Sequence, residues 1–264
     1  GNGSSEYPFA SIQHVFDIFT EEGISGTINL AQGTYTENIV WSPYDGVSLI
    51  GQGPDNTIID GGGAGRTLYV DGVTATIQGV SITGGYLDSL SGDGLAFNSI
   101  HGAGVYLQNS DILFDDVKIH NNHTNSDTND QAYGGGGYIS GGDVIFQNSE
   151  ISGNSVNVHN DYGWMEWGGG LYVQYCDLVM NNVDILNNFS DNDAGGLIVF
   201  DGTVDLDDVL FQGNEANGSN GGFRLEGVQT LTMDNVDILY NGVEFNNNVG
   251  GGILSSIVDG TLNN

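Results

Sequence analysis

The chain has 264 residues, with 44 glycines and only three prolines, and its 34 acidic residues against three basic ones give a formal net charge of −31. This charge excludes nucleic acids and anionic membranes as unassisted partners, because like charges repel. It also suggests calcium or a saline medium as the counterpart that screens the surface. No apolar run of about 18 residues occurs, so no membrane insertion is predicted.

Residues 1–26 are predicted to form a flexible lead and an N-terminal cap. Ile12, Val15, Phe16 and Phe19 recur at the spacing of one helix face, which indicates a short amphipathic helix. A stack of strands exposes its core and its backbone edges at each end, so we expect this helix to cover the first end. Residues 27–101 contain short apolar strands between turns and are predicted to form the first coils.

Residues 102–249 repeat one pattern: a glycine turn, a short apolar strand, a longer apolar stretch and an asparagine. The glycine openings are Gly102, Gly134, Gly168, Gly195, Gly221 and Gly250. Such self-similarity is the mark of a repeat architecture. Two columns exchange glycine with asparagine or aspartate, which predicts a constrained backbone. They are Gly79, Asp116, Asn148, Asn182, Asp208, Asn235 at a bend, and Gly85, Asn122, Asn154, Asn188, Asn214, Asn241 after it.

Three strands per turn, one sharp bend and one loop of variable length predict an all-β protein, a right-handed parallel β-helix. With PFASIQ at residues 8–13, GTYTENI at 33–39 and TIIDGG at 57–62, the chain resembles the pectin-lyase-like right-handed parallel β-helix superfamily. Within it, the chain is most similar to secreted Gly/Asn-rich β-helix repeat proteins. The resemblance implies a secreted or cell-surface protein. We expect a single domain over residues 1–264, with an incomplete last coil at 250–264 that further coils or another chain would cover.

An aromatic stripe is predicted on the outer face of the first strands. Alternation turns one side chain of each strand outwards, and this outward column reads Tyr69, Tyr106, Tyr138, Tyr172, Ile198, Arg224 and Leu254. The long loops at 83–101, 121–133 and 152–167 lead into the coils that carry the tyrosines, and they add Tyr162, Trp164, Glu166 and Trp167. Aromatic rings beside carboxylates suit sugars, so we predict an exposed groove that binds polysaccharide. The alternative is that the tyrosines are ordinary ladder partners and that Trp164 and Trp167 fold back over a strand.

Two loops could hold a metal ion. Asp127 with Asp130, and Asp191 with Asp193, supply the hard oxygen ligands that calcium prefers. Solvated acidic loops are the alternative interpretation. The five histidines have no paired metal-binding spacing, so a transition metal is not expected. No motif indicates an organic cofactor.

Catalysis has candidates but no signature motif. A hydrolase would need two carboxylates about 5 to 9.5 Å apart, and Asp201 with Glu226, beside Arg224, is one such pair. We therefore favour a domain that binds polysaccharide and has a structural role in a larger surface protein. One alternative is a polysaccharide lyase or glycoside hydrolase that uses Arg224, Glu226 and Asp201. The other is a purely structural stalk or adhesin segment.

Overall fold

The structure is a computed structural model, and it describes residues 1–41, 45–88, 99–126, 131–158, 166–243, 252–255 and 257–263. The chain winds into a right-handed parallel β-helix with one helix at its N-terminal end, which confirms the predicted fold class. Strands of successive coils pair in parallel. Within the described residues, the single helix has 11 residues and no helix could cross a membrane.

Helix α1 (Ile12–Glu22) covers the first end of the stack, as predicted. Its Ile12 and Phe16 are buried, and the Phe16 ring lies 4.5 Å from that of Trp41. The Glu37 carboxylate accepts hydrogen bonds from the backbone N–H groups of Ile12 and Gln13, at 2.9 and 3.0 Å. These are amides that the helix leaves without partners of its own, so Glu37 fixes the cap on the strands below.

In the part of the chain that the structure describes, two partial coils follow the helix, and seven coils come after them, the last with two strands. The partial coils contain Gly26–Asn29, Gly33–Thr36, Ile39–Trp41, Val47–Ile50 and Thr57–Asp60. Coils 1 to 3 are Leu68–Asp71, Thr74–Thr83, Tyr86–Asp88, Ser99–His101; Val105–Gln108, Asp111–His120, His123–Ser126, Gln131–Tyr133; and Gly137–Ser140, Asp143–Ser152, Ser155–Val158, Glu166–Trp167. Coils 4 to 7 are Leu171–Leu186, Phe189–Ser190; Leu197–Gln212, Glu215–Ala216; Phe223–Glu226, Thr230–Asp234, Asp237–Leu239, Gly242–Val243; and Gly252–Ser255, Asp259–Asn263.

The core is a narrow apolar column inside the coils. The inward positions of the first strands, such as Val105 and Leu107, are buried, and so are Phe114 and Val117 on the two sides of the bend. Like residues stack from coil to coil, and the rings of Phe114 and Phe146 lie 4.7 Å apart. Each coil therefore buries its apolar face mainly against its two neighbours, as expected of a solenoid.

The bend column has the predicted left-handed backbone. Its φ angles lie between 50° and 64°, at Gly79, Asp116, Asn148, Asn182, Asp208 and Asn235. In most residue types this conformation brings the Cβ atom too close to the following carbonyl oxygen. Glycine has no Cβ atom, and Asn and Asp tolerate the conformation better than other residues do.

Replacing Asn182 tests that constraint. The side chain is exposed and donates one hydrogen bond, from Nδ2 to Asn148 Oδ1 at 3.1 Å, so the left-handed backbone dominates the cost. We expect Asn182→Leu to lower the free energy of unfolding by about 1 to 2 kcal/mol, and Asn182→Gly to lower it by less. Equal midpoints for the two variants in chemical denaturation would show that the backbone conformation is unimportant.

The second column forms a buried asparagine ladder. The Oδ1 atoms of Asn154, Asn188 and Asn214 each accept from the backbone N–H of the ladder asparagine in the previous coil, at 3.0 Å in each case. Each Nδ2 donates to the next asparagine and to a backbone carbonyl, such as that of Ile151 for Asn188. Gly85 donates its N–H to Asn122 Oδ1 at 2.9 Å and ends the ladder. The ladder thus satisfies buried backbone groups at the turn.

Three details of the predicted register are wrong. The pairing aligns Gly168 with Ala194 and Asn220, one residue before Gly195 and Gly221. Ala194 and Asn220 take the left-handed turn conformation there, with φ of 52° and 55°, so the turn lacks its expected glycine. Arg224 pairs with Ile253, while Leu254 pairs with Leu225. The opening Gly250 lies outside the described residues.

The long loops contain strands that the sequence analysis did not predict. One small sheet joins strands 86–88, 123–126, 155–158, 189–190, 215–216 and 242–243. Another joins strands 99–101, 131–133 and 166–167 and directly precedes the first strands. We call it the cover sheet, because its side chains pack on the outward tyrosines.

Candidate functional site

The outward tyrosines stack along the axis of the solenoid. The ring centroids of Tyr69, Tyr106, Tyr138 and Tyr172 follow one another at 5.2, 5.1 and 5.2 Å, with interplanar angles of 15° or less. The strand register pairs each tyrosine with the next. The predicted stripe is therefore present as a continuous tyrosine ladder.

The ladder is covered, so the prediction of an exposed stripe is wrong. Tyr106, Tyr138 and Tyr172 are 7, 7 and 6% exposed, and Tyr69 is half-buried. The cover sheet packs on them: His101 lies 4.4 Å from the Tyr138 ring, and Tyr133 lies 4.7 Å from the Tyr172 ring. The tyrosines are ladder partners and Trp167 packs on them, as in the alternative interpretation, whereas the residues before each glycine turn had been expected to form loops.

Side-chain amides and a hydroxyl line the outer edge of the ladder. Gln174 Nε2 donates to the Tyr138 hydroxyl at 2.8 Å and to Ser140 Oγ at 3.1 Å, and the Tyr172 hydroxyl donates to Gln174 Oε1 at 3.2 Å. Burial raises the pKa of both Tyr138 and Tyr172. The phenols are therefore neutral hydrogen-bonding groups at any ordinary pH.

Beyond Trp167, where the loops shorten, the cover narrows to single β-bridges from Trp167 to Asp193 and from Asp193 to Ser219, and a mixed patch lies there. Trp167 and Phe200 are half-buried, with ring centroids 5.4 Å apart. The Arg224 guanidinium carbon lies 5.5 Å from the Phe200 ring centre and 6.0 Å from that of Trp167. Glu226 lies on the same strand as Arg224. We call Trp167, Phe200, Arg224 and Glu226 the aromatic–arginine patch.

Two carboxylates hold Arg224 in place. Its Nη1 donates to Asp193 Oδ2 at 2.5 Å and its Nη2 donates to Glu226 Oε2. Asp193 is buried, and its Oδ1 accepts from Asn220 Nδ2 and from the Ala194 N–H, both at 2.8 Å. Burial alone would lower the pKa of Arg224, but the hydrogen bonds and charges of Asp193 and Glu226 outweigh burial and raise that pKa. The guanidinium is thus a fixed cation that faces the two rings.

Of the three candidate catalytic residues, two are in contact and the third lies apart from them. Arg224 and Glu226 are in contact, while Asp201 lies one coil earlier, in a turn with φ of 59° beside Gly227. A guanidinium with a raised pKa cannot abstract a proton, and Glu226 is tied to that guanidinium. Burial raises the pKa of Cys176 to about 12, so its thiol is no nucleophile either. This arrangement favours contact with a ligand over proton transfer.

Tyr175 is a feature of this face that the sequence analysis missed. Its side chain is 66% exposed, and its φ is 53° in a turn column otherwise occupied by Gly72, Asn109, Gly141, Asp201 and Gly227. A bulky residue in this conformation is an outlier. It directly follows Gln174, which pairs with Phe200 of the next coil. The strand register is needed to align Tyr175 with these glycine, asparagine and aspartate positions, and the sequence alone does not give that register.

His101 makes the aromatic cluster sensitive to acid. Its Nδ1 is buried without a hydrogen-bond partner. Burial, and after it the charge of Arg66, lowers the pKa of His101 to about 3. The unfolded chain binds a proton near pH 6.5 that the folded protein does not bind until about pH 3, so stability falls as pH decreases through this range.

His101→Phe should remove that contribution. We expect the wild-type protein to lose up to about 1.4 kcal/mol per pH unit more than the variant below pH 6, as measured by urea denaturation at a series of pH values. His14→Phe, on the exposed side of α1, is the matched control. Parallel pH profiles for wild type and His101→Phe would show that His101 is not the sensitive group.

Of the two candidate metal sites, the structure describes the one at Asp191 and Asp193. Asp191 Oδ1 accepts from Asn217 Nδ2 at 2.8 Å, and both oxygens of Asp193 have partners. Among the described residues, no group of three His, Cys, Asp or Glu side chains could hold a metal ion. Asp127 and Asp130 lie outside the described residues, so the calcium site stays a prediction. Tyr162 and Trp164 also lie outside them, as does the side chain of Glu166.

A concave surface lies on the long strands. It is a shallow cavity of about 370 Å³, lined in part by Ser48, Thr76, Leu113, Ile145, Asp111 and Asp143. None of the described residues that line it is aromatic. It is therefore a poorer match than the patch to a surface on which sugar rings pack.

Comparison with solved structures finds a pectin methylesterase from Yersinia enterocolitica, with 12% sequence identity and a TM-score of 0.35. The match covers 95% of this chain and 94% of the enzyme chain. No protein-family model and no curated protein matches the chain. The superfamily predicted from the sequence stays a prediction. The parallel β-helix fold is established by the strand pairing of the structure itself.

Proposed function

We propose that the protein is a β-helix domain that binds polysaccharide through the aromatic–arginine patch without cleaving it. The observation that carries this proposal is the pair of half-buried rings, Trp167 and Phe200, beside a guanidinium fixed by two carboxylates. The C–H face of a sugar packs on such rings, while its hydroxyls bond to the charged groups.

The covered ladder is the support for this patch rather than its binding surface. Tyr172 is buried between Tyr138, Tyr133 and Phe200, with centroid distances of 5.2, 4.7 and 5.8 Å. Rings held by packing lose little freedom when a ligand binds, which favours affinity. Of the predicted tyrosines, therefore, we expect Tyr69, Tyr106 and Tyr138 to contribute rigidity and not direct contact.

The rival enzyme needs a group that transfers a proton at the bound sugar. The charged groups of the patch, Arg224 and Glu226, are bonded to each other. Fixed charges can orient a ligand but do not by themselves supply acid–base chemistry. We therefore prefer binding, with a location outside the cell or on its surface as the sequence predicts. If the protein binds no glycan, the remaining hypothesis is a purely structural stalk or adhesin segment.

Trp167→Ala tests the proposal. We expect the variant to bind a retained polysaccharide about 5- to 30-fold more weakly, the loss typical of one aromatic contact. Affinity electrophoresis against a polysaccharide panel gives the measurement, and reducing-end and unsaturated-uronate assays report cleavage. Tyr240→Ala, which removes an 86% exposed tyrosine from another turn, is the control.

Three results would contradict the proposal. Retention that Trp167→Ala leaves at the wild-type value would place the binding surface elsewhere. Cleavage products from wild type that disappear in Arg224→Lys would establish an enzyme. Failure to retain any polymer would leave the structural stalk.

A further inference from the structure

The three lysine and arginine side chains of this protein already have partners, which limits how the patch can bind an anionic ligand. The chain has only three basic residues. Lys118 forms an ion pair with Asp55 at 2.7 Å, and Arg224 bonds to Asp193 and Glu226. The Arg66 guanidinium lies 4.7 Å from the Tyr106 ring centre and donates to the His101 carbonyl at 2.6 Å. A carboxylate on a ligand would thus have to displace an existing partner.

The charge around the patch is negative. Arg224 is matched by two carboxylates, and Asp201 lies in the adjacent turn. Across the whole chain, 34 acidic residues oppose three basic ones. A polyuronate would meet repulsion locally and at long range, whereas an uncharged sugar would meet none.

The exposed face continues from the patch to Tyr175. The strand register places Gln174 beside Phe200, and Tyr175 is the next residue. The same register aligns the Tyr175 turn with that of Asp201, which directly follows Phe200. The left-handed backbone of Tyr175 costs stability, and an exposed ring recovers little of that cost by burial. Tyr240 has a similar φ and is also exposed, so it is the place of Tyr175 beside the coil of Phe200, together with the strain, that points to a role in binding.

We infer that the ligand is an uncharged polysaccharide, and that Tyr175 is a second contact for it beyond Trp167 and Phe200. This inference rests on the proposed function and specifies the ligand class of the same site. Hydroxyl groups of the sugar would donate to Gln174 Oε1, which accepts one hydrogen bond from Tyr172, and to the carboxylates around Arg224. Acidic polysaccharides would be rejected by the surrounding carboxylates.

Matched pairs of polymers test the ligand class. Cellulose, mannan and galactan are compared with their carboxymethylated forms, in EDTA so that calcium cannot bridge two carboxylates. At low salt we expect a neutral polymer to bind at least about tenfold more tightly than its carboxymethylated form. The difference should shrink in about 1 M NaCl, where the Debye length is about 3 Å. Equal or tighter binding of the carboxymethylated form would overturn the inference, whereas retention of neither form would overturn the proposed function itself.

Tyr175→Gly tests the second contact. Glycine adopts the left-handed conformation without strain, so the melting temperature should not fall, while affinity for the retained polymer drops about fivefold. Tyr175→Phe separates the ring from the hydroxyl and should keep most of the affinity. Wild-type affinity in Tyr175→Gly would show that Tyr175 is not a contact.

Discussion

Asn188→Ala should lower the free energy of unfolding by about 3 to 5 kcal/mol, because it removes the centre of the buried ladder. The substitution leaves the Asn154 backbone N–H and the Ile151 carbonyl without their side-chain partners. It also breaks the two side-chain links, Asn154 Nδ2 to Asn188 at 3.0 Å and Asn188 Nδ2 to Asn214 at 3.0 Å. These groups are buried, so water cannot replace the lost bonds.

Asn181→Ala is the matched control for the ladder. It removes the same side chain from the same coil at an exposed position, and its cost should stay within about 0.5 kcal/mol. Chemical denaturation followed by circular dichroism measures both variants. A loss of less than about 1 kcal/mol for Asn188→Ala would show that the ladder adjusts or that water satisfies it.

Arg224→Met should destabilise the protein by about 2 to 4 kcal/mol, because it leaves the buried carboxylate of Asp193 without its cation. The Asp193 side chain is 5% exposed and the Arg224 side chain 27%. Two hydrogen bonds to Asp193 Oδ1 remain, from Asn220 and Ala194, which limits the loss. The free energy of unfolding from urea titrations gives the value.

A double variant distinguishes the lost ion pair from lost packing. Arg224→Met with Asp193→Asn removes both charges and should recover part of the stability. Lys118→Met breaks the surface pair with Asp55, whose side chain is 80% exposed, and should leave the midpoint nearly unchanged. If the double variant is no more stable than Arg224→Met, the cost comes from packing on Phe200 and Trp167 and not from charge.

The architecture was predictable from the sequence because each coil repeats the same backbone requirements. Glycine, asparagine and aspartate recur where φ is positive, and the burial of Val105, Leu107 and Phe114 follows the alternation of the strands. Parallel in-register stacking then follows from the repeat itself. The errors at Ala194 and Asn220 arose where a left-handed turn uses residues other than glycine.

The site was less predictable, because it depends on which segment covers which face. The alternation of inward and outward residues along each strand correctly predicted that the tyrosines point away from the core. It contains no information on the cover sheet that packs on them. Short strands such as Glu166–Trp167 have too few residues to show a period. The ion pair of Arg224 with Asp193 joins residues 31 positions apart and depends on the exact coil register. Trp167 and Arg224 were both named from the sequence, whereas their contact with Phe200 was not.

A crystal structure with a neutral oligosaccharide, chosen from the polymer that the retention assay selects, tests the central claim most directly. We predict an intact sugar chain with one ring packed on Trp167 and Phe200, within about 4 Å of their carbon atoms, and with its hydroxyls bonded to the groups around Arg224. A sugar chain bound instead along the cavity between Ser48 and Ile145, or one whose glycosidic bond has been cleaved at the patch, would contradict it.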